Sequence, residues 1–184
     1  MRAFIALELP KEVKAEIGKS QQDLKKAGVQ ARWVQSAIAH LTLVFLGSIT
    51  PDKVGLIEKT LDKAVNQINP VVLHLNKTSC FPDPTKARII HLELGGELDK
   101  LNLLVAKIRK GLKKQKIWFD EKPFHPHLTL GRIRKRRDLT SALKGAKVKK
   151  IEFIAHKISL YESTLTLTGP VYSELKQVWL AKKP

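Results

Sequence analysis

His40-Leu41-Thr42-Leu43 and His127-Leu128-Thr129-Leu130 are the same four residues written twice in one chain, and each copy alternates polar with apolar side chains. Such alternation is the pattern of a half-buried strand, on which residues i and i+2 share a face. Each copy therefore offers a His and a Thr together and turns its leucines toward a core. The surroundings repeat as well. Before the first copy come Ala3-Phe4-Ile5-Ala6-Leu7-Glu8-Leu9, a helical stripe of Val13, Ile17 and Leu24 that Gly28 can stop, and Trp33. Before the second come Arg88-Ile89-Ile90-His91-Leu92-Glu93-Leu94, a stripe of Leu98, Leu101, Val105, Ile108 and Leu112, and Trp118. Strand, helix, Trp and His-Leu-Thr-Leu occur in the same order twice, which implies duplication of one α+β unit.

The rest of the chain fits around that repeat. Thr50 as N-cap and Pro51 at the first helical position open a second helix with Val54, Ile57, Leu61, Ala64 and Ile68 on one face. Pro70 ends it, and Val71 to Leu75 reads as a strand. Two prolines in Phe81-Pro82-Asp83-Pro84 mark a crossover between halves. A short helix is expected near Asp138 to Gly145, and Ile151 to Ser163 with Val171 to Leu180, joined through Thr168-Gly169-Pro170, as a closing hairpin. Short connections favour antiparallel pairing over a parallel, doubly wound sheet. The expected architecture is α+β: two similar lobes, each an antiparallel sheet covered by its own helices, related by a pseudo-two-fold axis with a central cleft. It forms one bilobal domain, 1–184, with lobe cores at 1–80 and 86–150 and the hairpin 151–181 completing the sheets.

A chain of 184 residues that is 43% apolar and 28% charged can bury a core and is not a disordered tail. With 34 Lys and Arg against 17 Asp and Glu, the net charge of +17 draws polyanions, nucleic acid first and an anionic membrane second. No stretch approaches the roughly 18–20 apolar residues of a membrane span, and a membrane-surface role lacks a Lys-rich amphipathic helix with exposed aromatics. Cys80 is the one cysteine, so neither a disulfide nor a Cys-x-x-Cys zinc site is available, and the reducing cytoplasm is the expected compartment.

Two imidazoles facing one another across a cleft suit a reaction in which one proton is removed and another delivered, because histidine titrates near neutral pH. The threonine hydroxyls can donate hydrogen bonds to oxygens that gain charge in the transition state. Phosphoryl oxygens are the natural recipients in so basic a protein.

These residues, with Arg2-Ala3-Phe4-Ile5-Ala6, Trp33-Val34, Phe45-Leu46-Gly47, Phe81-Pro82, Pro126 before His127, Gly131-Arg132 after Leu130, and Gly169-Pro170-Val171-Tyr172, make the chain resemble the two-histidine phosphoesterases over nearly its full length. Within them it is similar to the RNA 2′,3′-cyclic phosphodiesterases once named 2′-5′ RNA ligases. Val44 departs from the basic residue found before Phe-Leu-Gly in many relatives. The resemblance implies metal-free, cofactor-free hydrolysis of an RNA 2′,3′-cyclic phosphate to a 2′-phosphate, with His40 as acid and His127 as base. It also implies ATP-independent 2′-5′ ligation when a 5′-hydroxyl, as on a tRNA half, replaces water. No phosphate-cradling Gly-x-x-x-x-Gly-Lys-Ser/Thr loop is present. A monomer acting on RNA, without a membrane, is expected.

Arg132 opens the densest basic run, Arg-Ile-Arg-Lys-Arg-Arg, through Arg137. Strict alternation puts Arg132 on the leucine side, so reaching the cleft requires a bulge or the strand's end there. The resemblance gives it the substrate phosphate or base. Phe4 is a candidate for base stacking set against core packing. Lys107, Arg109, Lys110, Lys113, Lys114 and Lys116 read as the wet face of the third helix, adding long-range attraction for RNA. His125, spaced His-x-His with His127 and with only Asp120 and Glu121 as acidic residues nearby, raises a metal alternative. His74, His91 and His156 are expected to be structural. A non-catalytic RNA-binding protein with the same fold is the competing function.

Overall fold

The computed structural model describes residues 1–167 and 169–180. Thr168, expected in the closing turn, lies outside them. Nine strands fall into two antiparallel sheets. In chain order the strands are β1 (Arg2–Glu8), β2 (Arg32–Trp33), β3 (His40–Ser48), β4 (Val71–Phe81), β5 (Ala87–Gly96), β6 (His127–Arg137), β7 (Glu152–Ala155), β8 (Lys157–Thr166) and β9 (Gly169–Trp179). The helices are α1 (Lys11–Lys26), α2 (Pro51–Val65), α3 (Leu98–Lys114) and α4 (Thr140–Gly145). One sheet runs β3-β1-β8-β9 and the other β2-β6-β5-β4-β7.

This topology redraws the expected lobes. β2 and β4, counted with residues 1–80, pair with β6 and β5 in the second sheet. The closing segment is likewise shared, since β7 pairs with β4 while β8 and β9 join β1. The reason is pairing partners: Val71–Phe81 is a long strand, and its hydrogen-bonding edge meets β5 across the proline-rich crossover. Each repeated β-strand pair is nevertheless equivalent, β1 with β3 and β5 with β6, with Glu8 opposite His40 and Glu93 opposite His127.

Helices form where the apolar stripes predicted them. α1 buries Val13, Ile17, Gln21 and Leu24, and α3 buries Leu101, Leu104, Val105, Ile108 and Leu112. α1 stops at Gly28, where the Gly28 and Val29 amides donate to the Lys25 and Leu24 carbonyls. The same closure ends α3 at Lys116 and Ile117, a further trace of the duplication. Thr50 holds the N-cap position of α2 with Pro51 next, but its hydroxyl makes no capping bond.

Cover also crosses between the halves: α1 reaches β6 of the second sheet, and α3 reaches β3 of the first as well as β4 of the second. The repeated tryptophans do the same. Trp33 lies on Gly131, where a Cβ would come within 3.0 Å of its ring, and Trp118 lies on Gly47, where a Cβ would come within 2.9 Å. At Gly47, where φ is +61°, glycine alone fits beneath the indole; at Gly131 a Cβ would press tightly on the ring. The buried side chains of both sheets form one continuous core. Among the described residues no helix is long and apolar enough to cross a membrane.

Candidate active site

β3 and β6, the edge of one sheet and a near-edge strand of the other, pack against each other. Their burial alternates identically at first: His40 and Thr42 are half-buried between buried Leu41 and Leu43, as are His127 and Thr129 between Leu128 and Leu130. Then both strands bulge at the same place. Ala6 opposes Thr42 and Ile5 opposes Val44, skipping Leu43, while His91 opposes Thr129 and Ile90 opposes Gly131, skipping Leu130. Each bulge resets the alternation, so that Phe45 and Arg132 come up on the His/Thr face. The bulge that Arg132 required is present. The basic run is not a loop: β6 continues to Arg137 with Arg132, Arg134 and Arg136 exposed.

Gln21 holds the second bulge. Its side-chain amide, 6% exposed, donates to the carbonyl of Leu130 at 2.9 Å and of Val34 at 2.7 Å. A buried polar side chain satisfied at both ends of one nitrogen is a rigid clamp. Its sequence signal was a glutamine interrupting the apolar stripe of α1.

The two imidazoles are mounted alike. His40 Nδ1 donates to the Ile38 carbonyl at 3.1 Å and His127 Nδ1 to the His125 carbonyl at 2.6 Å. A carbonyl only accepts, so Nδ1 carries the proton in both rings and each Nε2 is left for chemistry. Aromatic rings fix the planes. Phe4 stacks on His40 at 4.6 Å, and Tyr172 meets both edge-on, at 5.1 Å from His40 and 5.0 Å from Phe4. On the other side Phe81 and His91 stand edge-on to His127 at 5.1 and 5.4 Å. Phe4 is 2% exposed and so cannot stack on a base; it is the floor under His40. Phe45, 43% exposed beside it, is the aromatic that sequence reasoning passed over.

Burial is the largest influence on both rings and holds their pKa values below 6.5. The carbonyl bonds oppose it, and Lys14 at His40 or Arg132 and His125 at His127 reinforce it. Arg132 also acts across the cleft. Its charge counters the upward pressure of burial on the Tyr172 phenol, and Tyr172 touches His40. One guanidinium thus influences both half-sites.

His91, expected to be structural, is 3% exposed and stacked on Phe81 at 4.1 Å, but it also walls His127. His74 packs over Gly95, and His156 is an exposed link between β7 and β8 rather than a strand residue. His125 precedes β6 instead of sharing its face. Asp120 and Glu121 pair with Lys122 and Lys113, and among the described residues no three His, Cys, Asp or Glu side chains are grouped to hold a metal ion.

Burial, with the neighbouring His127 charge second, lowers the His91 pKa from 6.5 to about 4. A folded-state value below the unfolded one means the unfolded chain binds more protons between them, so stability is full above pH 6.5 and is lost as pH falls toward 4. That gap is worth roughly 3 kcal/mol. His91→Phe is expected to flatten urea-denaturation stability against pH by about this amount between pH 6.5 and 4. Parallel curves for the two proteins would show that His91 is not held neutral by the fold.

A sheet pair carrying two equivalent, identically tethered histidines beside two threonines defines a two-histidine phosphoester-cleaving class. The comparisons agree. The profile of LigT-like phosphoesterases matches residues 7–91 and 95–172. An RNA 2′,3′-cyclic phosphodiesterase of Thermotoga maritima is 32% identical over 95% of this chain and 93% of its own. One from Methanocaldococcus jannaschii is 33% identical over 96% and 99%. A crystal structure of a Thermus thermophilus protein superposes with a TM-score of 0.82 at 25% identity, covering 100% of both chains, and Escherichia coli LigT bound to NADP+ shares the fold at 0.72. The chain belongs to the LigT-like phosphoesterase family.

Proposed function

We infer that the protein hydrolyses RNA ends bearing a 2′,3′-cyclic phosphate to 2′-phosphomonoesters without a metal ion. The observation that carries this reading is the pair of half-sites with Nδ1 fixed and Nε2 free. His127 Nε2 takes a proton from water as its oxygen bonds to phosphorus; the bond from phosphorus to the 3′ oxygen breaks, and His40 delivers a proton to that oxygen. Thr42 and Thr129 donate to the phosphoryl oxygens, and Arg132 offsets their charge. The names of the similar proteins from Thermotoga maritima and Methanocaldococcus jannaschii support RNA as the substrate. With a 5′-hydroxyl in place of water, the same ring opening joins tRNA halves through a 2′-5′ linkage: His127 takes the hydroxyl proton, the 3′ oxygen leaves with a proton from His40, and ring strain replaces ATP. One chain supplies both half-sites, so a monomer in the cytoplasm suffices.

The test is an RNA with a cyclic phosphate end, incubated with the protein in EDTA. A 2′-phosphate product formed at an undiminished rate is expected; a 3′-phosphate would overturn the regiochemistry, and arrest by chelation the metal-free scheme. The pH profile is a second check. Both rings titrate below 6.5 in the free protein, so the alkaline limb of kcat/KM is expected below that pH. A bound phosphate anion favours the imidazolium, so the corresponding limb of kcat should lie at higher pH. Coincident limbs would mean that the titrating groups do not face the phosphate.

A further inference from the structure

Away from the cleft, α2 and α3 cross where Gly111 meets Thr60, and a groove of about 320 Å³ opens beside the crossing. Lys63, Lys107, Lys110 and Lys114 line it, and among the described residues no carboxylate does. Lys63 is shared with a second groove of about 480 Å³ lined also by Lys59, Asp62 and Trp179. Trp179 is 61% exposed, with the Lys157 ammonium 5.8 Å from its ring. None of Lys59, Lys63, Lys107, Lys110 and Lys114 forms an ion pair among the described residues, whereas Lys100, Lys113, Lys122 and Lys157 all do.

A wet helix face would scatter its charges and pair them. Here Lys59 and Lys63, with Asp62 between them, stand on α2, and Lys107, Lys110 and Lys114 on α3, Lys107 donating to the Asn66 carbonyl at 3.5 Å; five ammonium groups against one carboxylate leave an excess of positive charge that an anion would offset. A lysine track ending at an open indole matches the two needs of a single nucleic acid strand, cations for its phosphates and a flat apolar ring for a base. An anionic membrane would need an apolar helix face, and the apolar faces of α2 and α3 are buried.

We propose that the connected grooves from Lys114 through Lys63 to Trp179 bind the body of the RNA whose end occupies the cleft. The proposal rests on RNA being the substrate. It shares no residue with the histidine site, so the two can be tested apart.

The combined variant Lys63→Glu, Lys107→Glu, Lys110→Glu is compared with Lys11→Glu, Lys26→Glu, Lys144→Glu, which changes net charge equally at exposed positions elsewhere. On a twenty-nucleotide RNA with a cyclic phosphate end, the groove variant is expected to raise KM at least about 10-fold with kcat kept. It should also reduce the log–log salt slope of RNA binding by about 2, as loss of three phosphate contacts on a single strand requires. The control should do neither. Trp179→Ala should raise the same KM about 5-fold or more. Turnover of a mononucleoside 2′,3′-cyclic phosphate should be unchanged throughout. Equal effects in groove and control variants would overturn the proposal, as would loss of activity on the small substrate or loss of binding to phosphatidylserine vesicles with RNA binding intact. If the wild-type protein turns over no cyclic phosphate, the catalytic reading fails, and the binding slopes still decide the groove.

Discussion

Alanine at His40 or at His127 is expected to cut turnover of a cyclic phosphate at least roughly 10³-fold, within the range a positioned general acid or base supplies. Binding of the same RNA should change by less than a few-fold, because in the proposed scheme the substrate phosphate is anchored by Arg132, whose charge is felt at His127 and at Tyr172, and not by either histidine. The pH limbs assign the roles. His127→Ala should remove the acid limb of the profile and His40→Ala the alkaline limb, if His127 is base and His40 acid; the opposite result would exchange them. A protein that only binds RNA through this fold would show no wild-type turnover, and the substitutions would be silent. Neither ring contributes to the core as its leucine neighbours do, so thermal melting reports whether lost activity is lost folding.

How much of this was legible depends on range. Local signals read well: the apolar stripes of α1 and α3, the stop at Gly28 and the two His/Thr strands are set by residues a turn or a pleat apart. The cover that crosses between halves was hidden, because nothing in Trp33 or α1 names the strand on which it will pack. β4 was shortened and put in the wrong lobe for the same reason: Asn76 and Lys77 interrupt its alternation at a register shift, and only pairing with β5 carries the strand through to Phe81. His91 looked structural because its apolar neighbours are real; what the sequence lacked was the register that places it opposite Thr129. Arg132 shows the opposite case. Alternation excluded it from the cleft, and the physical requirement for a bulge was the correct inference from that conflict.

The threonines are the sharper test of mechanism, because a strand position suits threonine for reasons that have nothing to do with catalysis. Valine is nearly isosteric and favours a strand at least as well. If Thr42 and Thr129 are there for the sheet, Thr42→Val and Thr129→Val should preserve activity and leave melting unchanged or raised. Neither hydroxyl has a hydrogen-bond partner within the protein among the described residues, although both are half-buried on the histidine face. An unoccupied donor beside an imidazole is the arrangement expected where charge develops on a phosphoryl oxygen. Each valine substitution is therefore expected to lower kcat about 10²-fold with little change in KM, the signature of a bond made in the transition state. Serine keeps the donor and should stay within about 10-fold of wild type at either position. Equal losses for valine and serine would assign the effect to the missing methyl and to packing, and would remove the threonines from the reaction.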